Sequence, residues 1–307
     1  MSNTDKLTTS DEVRTSVASS SGMSAQPVAV RARPAAAART EASARREDSA
    51  RGRVPLTRRT WFVIVGGSLL PLLLLAVWQL VTSLGLVSAS QLPSPSSVWL
   101  AGIDLLQRGL LGQYVAISTQ RVLIGFAIGA VLGLVLGAFV GLSRLVDILV
   151  APTLGAIRAV PSLAWIPLLI LWLKIGEESK ITLIAIGAFF PVYTTVSAAL
   201  RHVDRQLVEA GRAFGYNGAR LFTTVQLPAV LPSVVSGLRL ALAQSWLFLV
   251  AAELIASSMG LGFLLIDSQN NGRIDRIILA IVLLAVLGKV TDSLVGLFER
   301  WVNKRWS

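Results

Sequence analysis

The sequence predicts an all-α integral membrane fold with six transmembrane helices, and three observations carry that expectation. Of 307 residues, 53% are hydrophobic and only 15% charged, and the mean hydropathy of +0.67 lies outside the composition of a water-soluble domain. Apolar runs long enough to cross ~30 Å of hydrocarbon recur along the chain. Lys and Arg gather in alternate intervals between those runs, as they do when cytoplasmic segments are the positive ones. The net charge of +11 does not imply a nucleic-acid partner, because eleven of the 28 Lys and Arg residues precede Trp61 and form no folded basic face. With no cysteine, disulfides, thiolate catalysis and Cys-based metal sites are excluded.

Residues 1–60 hold Ser, Thr, Ala and Arg with hardly a large apolar side chain, so they cannot bury enough surface to offset chain entropy. A disordered basic tail is expected, with residues 61–307 forming the transmembrane domain. Thr57-Arg58-Arg59-Thr60-Trp61-Phe62 is similar to a twin-arginine export signal, with Ser88-Ala89-Ser90 as a conceivable cleavage site. The run from Trp61 to Leu86 is longer than a signal core and long enough to span, so a first transmembrane helix with an arginine anchor explains it better. Gln91 to Ser97, with Pro93 and Pro95, reads as an extended loop, and Val98–Leu111 as an amphipathic surface helix. Val122–Leu142 is the expected second span. Gly125, Gly129, Gly133, Gly137 and Gly141 recur there every fourth residue, tracing a slowly winding groove in which another helix can pack. A third apolar region, interrupted by Pro152, Pro161 and Pro167, reaches Leu173 and carries Arg158, whose charge needs an interface, a carboxylate or water. Ile181–Leu200, Ser233–Ser257 and Arg276–Phe298 complete the six. Within the fifth, Arg239 and Glu253 stand too far apart to pair, while Lys289 and Asp292 in the sixth have i,i+3 spacing.

The long polar interval between these later spans, residues 201–232, has the layout of a docking element. Leu207, Ala210, Gly211 and Phe214 fall at helical spacing while Arg205, Glu209 and Arg212 take other faces. Gly215 suits a left-handed C-cap, Asn217-Gly218 a turn, and a second helix can run from Ala219 until Pro228 and Pro232 break it. Glu-Ala-X, three residues, Gly, nine residues, an aliphatic residue, X, Leu-Pro resembles the EAA loop of ATP-binding-cassette importer permeases. The residues that fit are Glu209, Ala210, Gly211, Gly215, Val225, Leu227 and Pro228, with Gly211 where that family usually has Ala. The Leu-Pro-Ser-Pro loop and the stretch Arg158 to Pro167 are similar to the sulfonate, taurine and nitrate branch, above all to the aliphatic sulfonate permeases.

That resemblance implies a type I importer permease fold with a core over about 118–300, a transport subunit and not an enzyme. It also implies a cytoplasmic ATPase docked on residues 201–232, ATP and Mg held by that ATPase and no cofactor on this chain, an extracytoplasmic solute-binding protein, and pairing of two permease copies in the cell membrane. The residues agree with it in what they lack. Gly288-Lys289-Val290 is not a phosphate loop, the single histidine, His202, supports no Ser-His-Asp set, and no His or carboxylate cluster suits a metal. Aliphatic sulfonates are the implied cargo, with taurine, nitrate or another small solute as alternatives. A stand-alone secondary transporter is the rival from another class, but Glu253 is a solitary acidic candidate and no inverted repeat is visible. With the N-terminus inside, six spans place both termini and the docking loop in the cytoplasm, where most of the Lys and Arg then lie.

Overall fold

The computed structural model describes residues 56–306, so the tail assigned to residues 1–60 lies almost wholly outside the described residues. Ser68–Ser307 form one compact unit, and the contacts below all lie within it. The described chain is helical throughout: α1 Leu56–Ser83, α2 Pro95–Gln107, α3 Leu110–Leu142, α4 Arg144–Ala159, α5 Ile166–Leu173, α6 Glu177–Arg201, α7 Arg205–Ala213, α8 Gly218–Leu221, α9 Leu227–Ala256, α10 Leu261–Asn270 and α11 Ile274–Trp306. Among the described residues four stretches are long and apolar enough to cross a membrane: Leu110–Leu142, Glu177–Arg201, Gly218–Ile255 and Ile274–Arg305. The bent pair α4 and α5 makes a fifth, and α1 is apolar over Leu69–Ser83.

Local chemistry sets the boundaries. Ser94 caps α2 by accepting from the Ser97 amide at 3.2 Å, and Pro95 occupies the first turn, where no N–H is missed. Gly109, at φ +70, turns the chain into α3, which therefore begins twelve residues before the expected Val122 and takes in Tyr114, Ser118 and Arg121. Ser143 caps α4. Pro161 forbids α4 from continuing, and after one 3₁₀ turn over Ser162–Trp165 the chain resumes as α5 at 88° to it. This bend accounts for Pro161 and for Pro167 in the first turn of α5, whereas Pro152 lies inside α4, and Arg158 lies exposed in its last turn.

Two prolines do not act as the sequence suggests. Pro228 and Pro232 fail to break the helix after the docking loop: Phe222–Gln226 widens into a π-turn in which the Leu227 amide bonds back to Phe222 O, and Pro232 lies inside the α9 that follows. The wider turn precedes the point where the Pro228 ring would meet the backbone of an ordinary helix, so α8, the π-turn and α9 run on as one rod.

The core lies where α3, α6 and α9 meet. Val122, Leu183, Ile184, Leu242, Phe248 and Leu249 bury one cluster, and Ala130, Ala188, Val192, Val196, Val234 and Ala241 a second. The five glycines of α3 face α6. A Cβ at Gly125 would stand 2.6 Å from Ile184 Cγ2, at Gly133 2.8 Å from Val192 Cβ, at Gly137 3.0 Å from Tyr193 O and at Gly141 2.8 Å from Leu200 Cβ, while at Gly129 it would overlap Ala185 O. Among the α6 side chains so met, Ile184, Ala188, Val192, Val196 and Leu200 stand four residues apart, so two four-residue repeats interlock and the backbones approach closely. Outer surfaces of α3 and α11 remain apolar and exposed, including Leu132, Val135, Phe139, Val286, Val290 and Leu294, as lipid contact requires.

Charge ties α9 to α11. Arg239 donates from Nη2 to Asp292 and from Nη1 to Glu299, each at 2.9 Å, and Ser236 donates to Glu299 at 2.8 Å. Lys289 and Asp292 do approach, at 3.6 Å, but Arg239 is the closer partner of that carboxylate. Asp147 in the first turn of α4 pairs with Arg201 at the end of α6 at 2.6 Å.

Candidate docking site

The hairpin between α6 and α9 is built from its caps inward. Asp204 accepts the Gln206 amide at 2.8 Å and starts α7. Gly215, at φ +82, ends it: the Gly215 amide bonds to Arg212 O at 2.9 Å and the Tyr216 amide to Gly211 O at 3.0 Å. This pair of bonds is a Schellman cap, and its left-handed residue is best served by glycine. The chain then turns into α8, and the Arg220 guanidinium lies 4.9 Å over the Tyr216 ring, a further tie across the turn.

The motif residues fall into two groups. Gly211 is buried and points inward, where a Cβ would stand 2.8 Å from Leu221 Cδ1 and 3.0 Å from Val225 Cγ2. Its departure from Ala lets α7 lie closer on the returning helix, and it is a packing choice as well as a loss of helix propensity. Val225, Leu227 and Pro228 are half-buried on that helix. Glu209 and Ala210 face solvent, Glu209 pairing with Arg205 at 3.0 Å, an i,i+4 pair of small energetic worth at such exposure. Leu207 and Phe214 project beside them with 49% and 81% of their surfaces exposed. Residues 207, 210 and 214 share one helical face, so the hairpin presents a small apolar patch rimmed by Arg205, Glu209 and Arg212 on a rigidly capped helix. Such a patch can enter an apolar groove of another protein. His202 contacts Ala198 O through Nδ1 at 2.8 Å and closes the end of α6.

At the opposite end of α6 and α9 is a second polar centre that sequence reasoning did not bring together. Glu253 is fully buried, and Arg121 is 4% exposed. Arg121 Nη1 donates to Glu253 Oε1 at 2.6 Å and to Met259 O at 2.6 Å, while Nε and Nη2 make a two-pronged contact with the Glu177 carboxylate, each at 2.6 Å. Lys180 joins Glu177 at 3.0 Å. Ser118 donates to Glu253 at 2.9 Å and accepts the Leu261 amide at 2.8 Å, and the Gly262 amide donates to Glu253 at 2.8 Å. The buried carboxylate thus caps α10 as well as pairing with α3. Gly260, at φ +119, and Gly262 permit this approach, since a Cβ on either would collide with Glu253. The signal in the sequence was that Arg121, Glu177, Lys180 and Glu253 each lie within about a turn of the end of an apolar run, where a charge needs a partner. Ser118 gave none. Among the described residues no cluster suited to a metal occurs.

Comparison with known proteins places this architecture. Residues 129–304 match the family described as binding-protein-dependent transport system inner membrane component. The chain is 42% identical over 238 residues to the "Putative aliphatic sulfonates transport permease protein SsuC" of Bacillus subtilis, covering 78% of this chain and 86% of that one. It is 43% identical over 250 residues to the protein of the same description from Escherichia coli, covering 81% and 94%. Against the taurine transport system permease protein TauC of Escherichia coli it is 34% identical over 240 residues, covering 76% and 86%. In fold it is similar to a chain of the MetNI methionine ABC transporter, at a TM-score of 0.53 and 23% identity over 66% of this chain and 98% of that one. Matched over more than half its length by the family and over most of it by these relatives, the chain belongs to the inner membrane components of binding-protein-dependent transport systems, the multi-pass permease subunits of ATP-binding-cassette importers, which are not themselves ATPases.

Proposed function

We propose that this permease carries aliphatic sulfonates and couples to a cytoplasmic ATPase through α7 and the turn after it. The observation that carries the coupling is the exposed face of Leu207, Ala210 and Phe214 on a helix capped at both ends; the identity of 42–43% to two sulfonate permease relatives supports the cargo. In this reading α1 and the bent pair α4 and α5 join the four long helices to make six spans, both termini lie in the cytoplasm, and two copies line the pathway. An extracytoplasmic binding protein delivers the solute, and Glu209, Ala210, Gly211, Gly215, Val225, Leu227 and Pro228 shape the ATPase contact. ATP and Mg stay on the ATPase, whose closure draws the two hairpins together and shifts the permease between inward-open and outward-open states.

Glu209→Lys with Gly215→Arg is expected to abolish both uptake and solute-stimulated ATP hydrolysis while the subunit still inserts. The first change reverses a charge beside the patch. The second puts a side chain where φ is positive, with nothing within 4 Å to clash, so it disturbs the hairpin surface at a fold cost of about 1–2 kcal/mol. Wild-type coupling in the reconstituted double variant would sink the docking reading. The cargo is tested separately by competition of ethanesulfonate, taurine and nitrate for uptake by the wild-type importer, with ethanesulfonate expected to be taken up and to compete best.

A further inference from the structure

Beside the buried Arg121–Glu253 pair lies an open cavity of about 340 Å³ where Arg121, Glu177, Gln120 and Ser258 face Ile117, Ile124 and Ile181, a size suited to a small ligand. Ile181 also lines an open groove of about 340 Å³ along α3 and α6, where Ile128 and Leu132, both exposed on the lipid-facing side of α3, join Ala185 and Phe189 to make the walls apolar. The two spaces adjoin at Ile181: the first mixes a guanidinium and a carboxylate with isoleucines, and the second is hydrocarbon. The two arms of Arg121 differ in the same sense. Its Nη1 side is fixed in a dry interior by Glu253, whereas the Nε–Nη2 edge is held only by Glu177, whose side chain is 56% exposed.

We propose that the Nε–Nη2 edge of Arg121 is a recognition site for a monoanionic oxyanion on an alkyl tail, an alkylsulfonate, and that the Glu177 carboxylate occupies it as an internal placeholder until such a solute displaces it. This deepens the sulfonate reading and rests on it. A sulfonate offers two coplanar acceptor oxygens to the fork, as a carboxylate does. Charge favours the exchange: Arg121 and Lys180 balance Glu177 and Glu253, and turning Glu177 outward leaves one positive charge to meet one negative head. Lys180, itself 5% exposed and 3.0 Å from the same carboxylate, is freed by the same movement. The tail would lie along the Ile181 wall toward Ile128 and Phe189. A hinge is the other use for an ion pair joining three helices, and the glycine contacts oppose it. The α3 and α6 backbones interlock along their length, so the exposed Glu177 side chain can turn far more readily than the helices can part.

The test is calorimetric titration of the full chain in phosphatidylcholine nanodiscs with hexanesulfonate, and with hexyltrimethylammonium as the charge control. A site whose placeholder is seated nine-tenths of the time binds about tenfold more weakly than the free site, so Glu177→Gln should tighten hexanesulfonate about tenfold and leave the cation unbound. Glu177→Asp, which withdraws the carboxylate by one methylene, should give an intermediate gain, and the neighbouring Glu178→Gln none. Unchanged affinity in both Glu177 variants overturns the site, as does an equal gain with Glu178→Gln, which would report net charge alone. Binding that disappears when phosphatidylglycerol replaces half the lipid overturns it too, assigning the pocket to a lipid headgroup. Failure of the wild-type importer to take up alkylsulfonates would instead overturn the cargo reading, and the Glu177→Gln titration would still decide the site.

Discussion

Arg121→Met is expected to destabilise the permease by about 3–5 kcal/mol, the range for removing one partner of a buried ion pair. It should show as a large fall in melting temperature and in the yield of folded protein after detergent extraction. The cost arises chiefly from the carboxylate left behind without its counter-charge. Glu253 has no exposed surface, and without the guanidinium its charge would keep only the Ser118 hydroxyl and the Gly262 amide as donors. Met259 O would keep only the Ser257 hydroxyl as a donor. Because Glu253 also caps α10, the loop from Ser257 to Gly260 and the first turn of α10 should loosen together, and hydrogen exchange at Leu261 and Gly262 would report it. Glu177→Gln, on the exposed arm of the same arginine, should cost about 1 kcal/mol or less. Equal losses in the two variants would refute the distinction between a dry arm and a wet one.

Gly129→Ala is the smallest change expected to have a large effect. Its new methyl would overlap Ala185 O and stand 2.8 Å from Ala188 Cβ and 3.0 Å from the Phe189 amide nitrogen. All three belong to or adjoin the α6 backbone and cannot rotate away. Overpacking of this kind costs about 1–3 kcal/mol even where relief is available, and Gly129→Leu should prevent α3 and α6 from docking at all. The series has an internal order. Gly137→Ala, with its nearest contacts at 3.0 Å, should be milder, and Gly112→Ala, where nothing lies within 4 Å, should be neutral or stabilising by helix propensity. Thermal melting of the three alanine variants in one detergent checks the ranking, and a Gly129→Ala protein as stable as Gly112→Ala would refute the packing geometry.

Much was already decided by local order along the chain. Composition and apolar run lengths determine a helical membrane protein, because a backbone in hydrocarbon must satisfy its own hydrogen bonds. The spacing from Glu209 to Pro228 carried the family resemblance, and Gly215 marked the end of α7 because a left-handed residue there needs no distant partner. The four-residue glycine repeat was plain too, since helical periodicity is a one-dimensional signal.

Only the tertiary structure decided what depends on distant segments meeting. It chose α6 as the helix against the glycines, let Pro228 remain inside a continuous rod by widening the turn before it, and extended α3 back to Leu110 so that Arg121 lies within it. It also joined Arg121 to a carboxylate 132 positions away. Charge in a sequence states that a partner is required. Which partner is met follows from the crossing of α3, α6 and α9, and that crossing is set by packing between side chains that no local pattern relates.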